Sequence, residues 1–175
     1  KCILEKDTNC NNIFKELGKP LIIKPAVSGG SMGVGIKNIV ETRKGLYALL
    51  KQMFEGYRGW NLTADGVIAE KFITGREFTV LITGSYNDPE NACVYTPVER
   101  VFHASLPDKE KFLSFDRLWE IYEEEKAMPD EENFYEYEVP GDKTLIDAIK
   151  KLSWDAYCAT RGKGYTRVDI RMDDQ

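Results

Sequence analysis

Residues Ser28-Gly29-Gly30-Ser31-Met32-Gly33-Val34-Gly35 are glycine, serine or small apart from Met32, and they follow a short apolar strand, Leu21-Ile22-Ile23-Lys24, with Pro25 at its end. Glycine opens backbone conformations that a side chain forbids, so such a run is free to turn several N–H groups toward one centre, as phosphate oxygens require. Taken alone, a flexible hairpin turn is an equal reading. Lys24 favours the phosphate reading, because a cation at the strand end meets the same oxygens. The piece after the loop, Ile36 through Val40, reads as extended chain. That excludes a P-loop and a dinucleotide fingerprint, whose glycines must open a helix. The protein-kinase pattern fails too, since its lysine follows the glycine loop and Lys24 precedes this one.

The remaining elements are read from hydrophobic period. Asp7 is placed to cap a short helix carrying Ile13, Phe14 and Leu17, with Gly18 and Pro20 beyond it. From Thr42, the spacing of Leu46, Leu49, Leu50, Met53, Phe54 and Tyr57 predicts an amphipathic helix ending near Gly56. Val67 to Ile73 reads as a buried strand with Thr74-Gly75 as a hinge. Glu77 to Thr83 and Ala92 to Phe102 read as a hairpin, with Phe78, Val80 and Ile82 on one face. Pro107 to Pro140 is charged and irregular, with a helix around Phe115 to Glu125 and acidic clusters at 123–125 and 130–132, and reads as a long solvent-facing insertion. A helix capped by Asp142 or Thr144 is expected to bury Leu145, Ile149, Leu152 and Ala156. Tyr165 to Met172 alternates strictly, with Val168, Ile170 and Met172 facing one way and Arg167, Asp169 and Arg171 the other.

Composition narrows the functional classes. With 29 acidic against 24 basic residues and a net charge of −5, the chain lacks the basic surplus of a nucleic-acid binder. No stretch approaches the roughly 20 apolar residues of a membrane helix, so no membrane is expected. Cys2, Cys10, Cys93 and Cys158 are scattered, with His103 the single imidazole. A zinc site or a disulfide framework is therefore not expected, and reduced thiols in a cytoplasmic setting are. His103 itself reads as a surface residue.

Other groups carry candidate chemistry. Glu70-Lys71-Phe72-Ile73 has the makings of an adenine-reading strand end, in which backbone groups meet the base edge and Phe72 and Ile73 give apolar cover; an ordinary buried strand is the bland alternative. Arg167 and Asp169 share one strand face, where a carboxylate can hold Mg²⁺ and a guanidinium can steady a transferred phosphoryl group. A solvated ion pair is the bland alternative there. Phe134, Tyr135 and Tyr137 alternate with glutamates, as in a strand or loop packed on a core.

In order, Pro20 through Gly35, Ile68 through Val80 and Gly162 through Arg171 resemble the three motifs of the ATP-grasp family, and within it the D-alanine:D-alanine ligase-like branch. The resemblance implies an α+β fold of two lobes with mainly antiparallel sheets and the nucleotide between them. It places a small lobe at 1–70 and a large lobe at 71–175, the latter interrupted by the insertion at about 107–140. It implies that Lys24 contacts the phosphates, that Gly29, Gly30, Ser31 and Gly33 close over them, and that Glu70, Lys71, Phe72 and Ile73 read the adenine. Glu77 would hold the ribose hydroxyls and Phe134 would flank the base. Arg167 would steady an acyl phosphate and Asp169 would be the first Mg²⁺ carboxylate. The implied reaction is activation of a carboxylate by ATP with magnesium, then amine attack and release of ADP. Small-molecule carboxylate and amine substrates follow, amino acids among them, and a homodimer of a longer protein is compatible with the family. After Phe134-Tyr135-Glu136-Tyr137-Glu138 the ligases continue with Ala-Lys-Tyr and a substrate-covering loop, whereas this chain reads Val139-Pro140-Gly141, so the resemblance does not extend to D-alanine as the substrate. The family's substrate domain and its Glu-x-Asn metal strand have no counterpart in the sequence, which leads to the expectation of one part of a larger ligase. A nucleotide-binding or protein-interaction module with a degenerate ATP-grasp fold is the alternative.

Overall fold

The computed structural model describes residues 2–5, 8–56, 58–129 and 132–173. The chain divides into two compact units, Lys1–Phe72 with Lys109–Glu132, and Ile73–Asp108 with Asn133–Gln175.

In the first unit an antiparallel sheet of order β1-β4-β2-β3 is built from β1 (Cys2–Leu4), β2 (Leu21–Pro25), β3 (Ile39–Val40) and β4 (Val67–Lys71). Leu21 and Ile23 of β2 and Val67 and Ala69 of β4 are fully buried on one face, against α1 (Ile13–Leu17) and α2 (Arg43–Glu55). Lys24 and Glu70 fall on the other face, because strand side chains alternate. The Thr42 hydroxyl accepts from the Gly45 N–H at 3.1 Å and starts α2, and Gly56, at φ 107°, ends it. Leu46, Leu49, Leu50 and Met53 are its buried stripe, as the spacing predicts. The helix cap of α1 is Asn12; Asp7 and Tyr57 lie outside the described residues, as do Asp130 and Glu131.

In the second unit β5 (Glu77–Ser85) is the central strand. β9 (Lys163–Arg171) pairs with its whole length on one edge, and β6 (Asp88–Val94) and β7 (Val98–Phe102) succeed each other along the other. β8 (Tyr135–Glu138) pairs with β7. Phe78, Val80 and Ile82 point into a core completed by Ile149 and Tyr157 of α4 (Lys143–Ala159). Each such aliphatic or aromatic side chain contributes about 1.5–3 kcal/mol by leaving water. The Asp142 carboxylate accepts from the Thr144 and Leu145 N–H groups and caps α4. At its far end the Tyr157 hydroxyl donates to the Gly84 carbonyl at 2.9 Å, and a Cβ at Gly162 would lie 2.1 Å from the Tyr157 ring, so the chain can turn into β9 there only with glycine.

Several expectations are corrected. Ala92 to Phe102 is not one strand. Tyr95 to Pro97 separates β6 from β7, and Pro97, which has no N–H for a ladder, sits buried at the break. Ile36–Asn38 is a turn of 3₁₀-helix before β3, and β4 stops at Lys71, two residues short of Ile73. In α4 the buried stripe is Ile149, Ser153 and Tyr157, while Leu152 is 55% exposed and Ala156 is exposed. The segment read as a solvent-facing insertion carries buried side chains, Phe112, Ser114, Phe115, Asp116 and Glu125. Its helix, α3, is confined to Phe115–Trp119, and residues 109–132 group with the first unit. Burial follows from pairing: Asp116 and Glu125 are satisfied by specific partners described below, which an acidic run in sequence does not reveal.

Candidate functional site

In the first unit, the loop between β2 and the 3₁₀ turn is stapled by one residue. Asn38, fully buried, donates its amide to the Ile23 carbonyl at 2.7 Å and the Gly33 carbonyl at 2.8 Å, and its oxygen accepts from the Gly35 N–H at 2.8 Å. Gly30, Ser31 and Gly33 take left-handed φ values of 56°, 58° and 75°. At Gly33 an added Cβ would come within 2.8 Å of both Leu62 and Pro25, so no larger residue fits.

The loop's hydrogen bonding is lopsided. The carbonyls of Gly29 and Ser31 accept from the Met32 and Val34 N–H groups, that of Gly33 from Asn38, that of Gly30 from the Trp119 indole, and that of Val34 from the Phe115 N–H. The N–H groups of Gly29, Gly30, Ser31 and Gly33 donate to nothing among the described residues. Acceptors consumed and donors left over, beside left-handed residues, are the pattern of backbone from which anion-binding nests are built. Lys24, behind the loop, pairs with Glu70 at 2.6 Å, both about one-third exposed. Next to them Lys71 is exposed, while the Phe72 ring is buried edge-on against Phe112, with centroids 5.7 Å apart, and its N–H donates to the Pro20 carbonyl. Apolar cover by the Phe72 ring is therefore directed inward, to Phe112.

In the second unit, strand register lines up a charged row across the sheet face opposite the core. Glu77 stands opposite Arg100 of β7 and Arg171 of β9, and Arg100 opposite Tyr137 of β8. The Arg100 guanidinium bonds Glu77, donates to the Tyr137 hydroxyl at 3.1 Å and lies over the Tyr135 ring at 5.0 Å. Arg171 reaches Glu77 at 3.7 Å. Burial, with Arg100 nearby, lowers Arg171 to about 10. For Tyr137 burial raises the phenol, but the Arg100 hydrogen bond and charge outweigh it and bring it below its ordinary value. Earlier on β9, Arg167 bonds Asp169 at 2.9 Å, with side chains 61% and 46% exposed. That hydrogen bond and charge raise the Arg167 guanidinium above its usual value. Phe134 packs edge-on to Phe102 at 5.5 Å, and its carbonyl accepts from the His103 N–H.

Lys24, Gly29, Gly30, Ser31, Gly33, Glu70, Lys71 and Phe72 thus belong to the first unit, and Ile73, Glu77, Phe134, Arg167 and Asp169 to the second. Sequence reasoning missed Arg100 as the partner of Glu77 and Trp119 as the partner of Gly30. Arg171 was legible, because it alternates with Arg167 and Asp169; Arg100 depends on register across strands 23 residues apart. Among the described residues no group of three His, Cys, Asp or Glu side chains is placed to hold a metal, and no helix is long and apolar enough to cross a membrane.

The α+β architecture, with its glycine-rich loop between antiparallel strands, is the ATP-grasp fold. Residues 2–175 match the family described as D-ala D-ala ligase C-terminus, and the chain belongs to that family. Among its relatives are the D-alanine–D-alanine ligases of Psychrobacter sp. (strain PRwf-1), 27% identical over 99% of this chain and 43% of that protein, and of Acinetobacter baumannii, 26% identical over 99% of this chain and 46% of that protein. The chain thus spans less than half the length of these relatives. Among solved structures, the Bacillus anthracis D-alanine–D-alanine ligase superposes with a TM-score of 0.62 at 23% identity, covering 99% of this chain and 46% of that one. The VanG D-Ala:D-Ser ligase of Enterococcus faecalis gives 0.60 at 20% identity, over 93% and 39%. At these identities the superpositions establish the fold.

Proposed function

We propose that this chain is the ATP-binding part of a carboxylate–amine ligase. In that reaction a carboxylate oxygen attacks the γ-phosphorus of ATP and ADP leaves; the amine then attacks the acyl carbon, phosphate leaves, and the amine loses a proton. Family membership supports the reading, and the unbonded N–H groups of Gly29, Gly30, Ser31 and Gly33 carry it, because a triphosphate is the acceptor-rich ligand such donors suit. Lys24 would add its charge to the same oxygens while Glu70 holds it in place. Backbone groups of Glu70, Lys71 and Ile73 would read the adenine edge, with Phe72 as the packed base of that strand end. Glu77 would accept from the ribose hydroxyls and Phe134 would flank the base.

Arg167 would neutralise charge on the acyl phosphate, a preorganised cation whose geometry Asp169 fixes. Magnesium belongs to the proposed reaction, and Asp169 would supply one carboxylate oxygen to it. Among the described residues no group of three His, Cys, Asp or Glu side chains stands ready to complete such a site. The substrates would be small carboxylates and amines. Val139-Pro140-Gly141 leads directly into α4 with only Pro140 of the three buried, so the connection after β8 is too short to carry a substrate-covering loop.

Calorimetric titration tests the reading. The chain is expected to bind ATP saturably, and Lys24→Ala is expected to weaken binding by about tenfold or more, one charge-assisted contact being worth about 1.5–3 kcal/mol. Absence of saturable binding, or equal affinity in the variant, contradicts it.

A further inference from the structure

The segment from Lys109 to Glu125 is the stretch whose chemistry its sequence leaves unexplained, and it grips the glycine-rich loop at three points and the 3₁₀ turn after it at two. Ser31 Oγ donates to the Leu113 carbonyl at 2.9 Å. Trp119 Nε1 donates to the Gly30 carbonyl at 2.8 Å, and the indole lies so close that a Cβ at Gly30 would sit 3.1 Å from it. The Phe115 N–H donates to the Val34 carbonyl at 2.8 Å, Glu125 Oε1 accepts from the Ile36 N–H at 2.9 Å, and Lys37 pairs with Glu124 at 2.7 Å. The segment is itself fixed from below. Asp116 accepts from the Glu124 and Glu125 N–H groups at 2.6 and 2.9 Å and from Arg58 at 2.5 Å, and Glu125 bonds Ser114.

These anchors fall selectively. At Gly30 and Val34 they occupy carbonyls, at Ser31 the hydroxyl proton, and at Ile36 an N–H beyond the glycines; the N–H groups of Gly29, Gly30, Ser31 and Gly33 are untouched. A glycine-rich loop left to itself samples many shapes, and apparent affinity falls by the fraction that is competent. We infer that residues 109–125 are a strap that holds the glycine-rich loop preformed with its donors uncovered, Trp119 and Glu125 being positioning residues for nucleotide binding. The nucleotide half of this inference rests on the function proposed above; the strap itself does not.

The test pairs two readouts on the wild type, Trp119→Ala, Trp119→Phe and Glu125→Gln. Trp119 is 56% exposed, so its truncation opens no core. Residue-resolved amide exchange without nucleotide is expected to show Met32, Val34 and Ile36 protected in the wild type. In Trp119→Ala their exchange should rise by about tenfold while that of α2 is unchanged, and ATP affinity should fall by about three- to tenfold, as a lower competent fraction requires. Trp119→Phe keeps the ring over Gly30 and should recover part of both effects. Loop exchange unchanged in both Trp119→Ala and Glu125→Gln overturns the strap. Faster loop exchange with unchanged ATP affinity overturns its positioning role. A wild type that binds no ATP overturns the proposed function instead, and the exchange data still decide the strap.

Discussion

Arg100→Leu is expected to destabilise the protein by about 3–5 kcal/mol, the loss typical when one partner of a buried ion pair is removed. The Arg100 and Glu77 side chains are 4% and 13% exposed. Without Arg100, Arg171 at 3.7 Å is the cation left to the Glu77 carboxylate among the described residues, and the Tyr137 hydroxyl loses the guanidinium hydrogen bond. The stacking of the guanidinium on Tyr135 goes as well. For a chain of this length the midpoint of thermal unfolding should fall by about 6–20 °C. The Glu77→Leu/Arg100→Leu double variant should recover part of the loss, since it removes both members of the pair together, the remainder reflecting the contact that Arg171 loses with Glu77. A loss below about 1 kcal/mol, on the scale of a surface pair, would show that the pair is not buried as described.

The second large effect is at Asp116. Burial pushes this carboxyl up, but the Glu124 and Glu125 N–H groups and the Arg58 guanidinium outweigh it and hold the group below its ordinary 3.8. A carboxyl depressed on folding contributes stability that is fully present above its unfolded value and is lost as pH falls through the folded value. Asp116→Asn should therefore cost about 2–4 kcal/mol at neutral pH, because the charge of a 3% exposed carboxylate is removed from its contacts with Arg58 and two N–H groups, while Arg58 keeps Glu123 at 3.4 Å. The gap between wild type and variant should hold down to about pH 4 and close below it. Denaturant unfolding at a series of pH values measures this. A gap that widens on acidification would assign the wrong sign to Asp116.

Local pattern carried much of the fold. Alternation in Phe78-Val80-Ile82 and in Val168-Ile170 identified β5 and β9, and Thr42 and Asp142 marked the starts of α2 and α4. The loop after β2 was legible as a break in the sheet, because a run of glycines favours irregular backbone over a strand. Where the sequence misled, the deciding contacts were remote. Glu123-Glu124-Glu125 looks like a solvated acidic run, yet Glu125 meets Ile36 across 89 residues and Asp116 meets Arg58 across 58. Charge pattern along the chain holds no trace of such partners. Leu152 looks like core by its spacing on α4, but the helix turns Ser153 inward, where its hydroxyl donates to the Ile149 carbonyl at 2.8 Å. The row Tyr137-Arg100-Glu77-Arg171 likewise exists only once three strand registers are set.

The claim that the glycine-rich loop is a phosphate cradle is tested most directly by a residue-resolved amide NMR titration with ATP. The Gly29, Gly30, Ser31 and Gly33 resonances are predicted to shift together and saturably, while those of β6, Asp88–Val94, stay in place. If these four amides remain unmoved while ATP shifts others, the loop is not the nucleotide site and the proposed function falls with it.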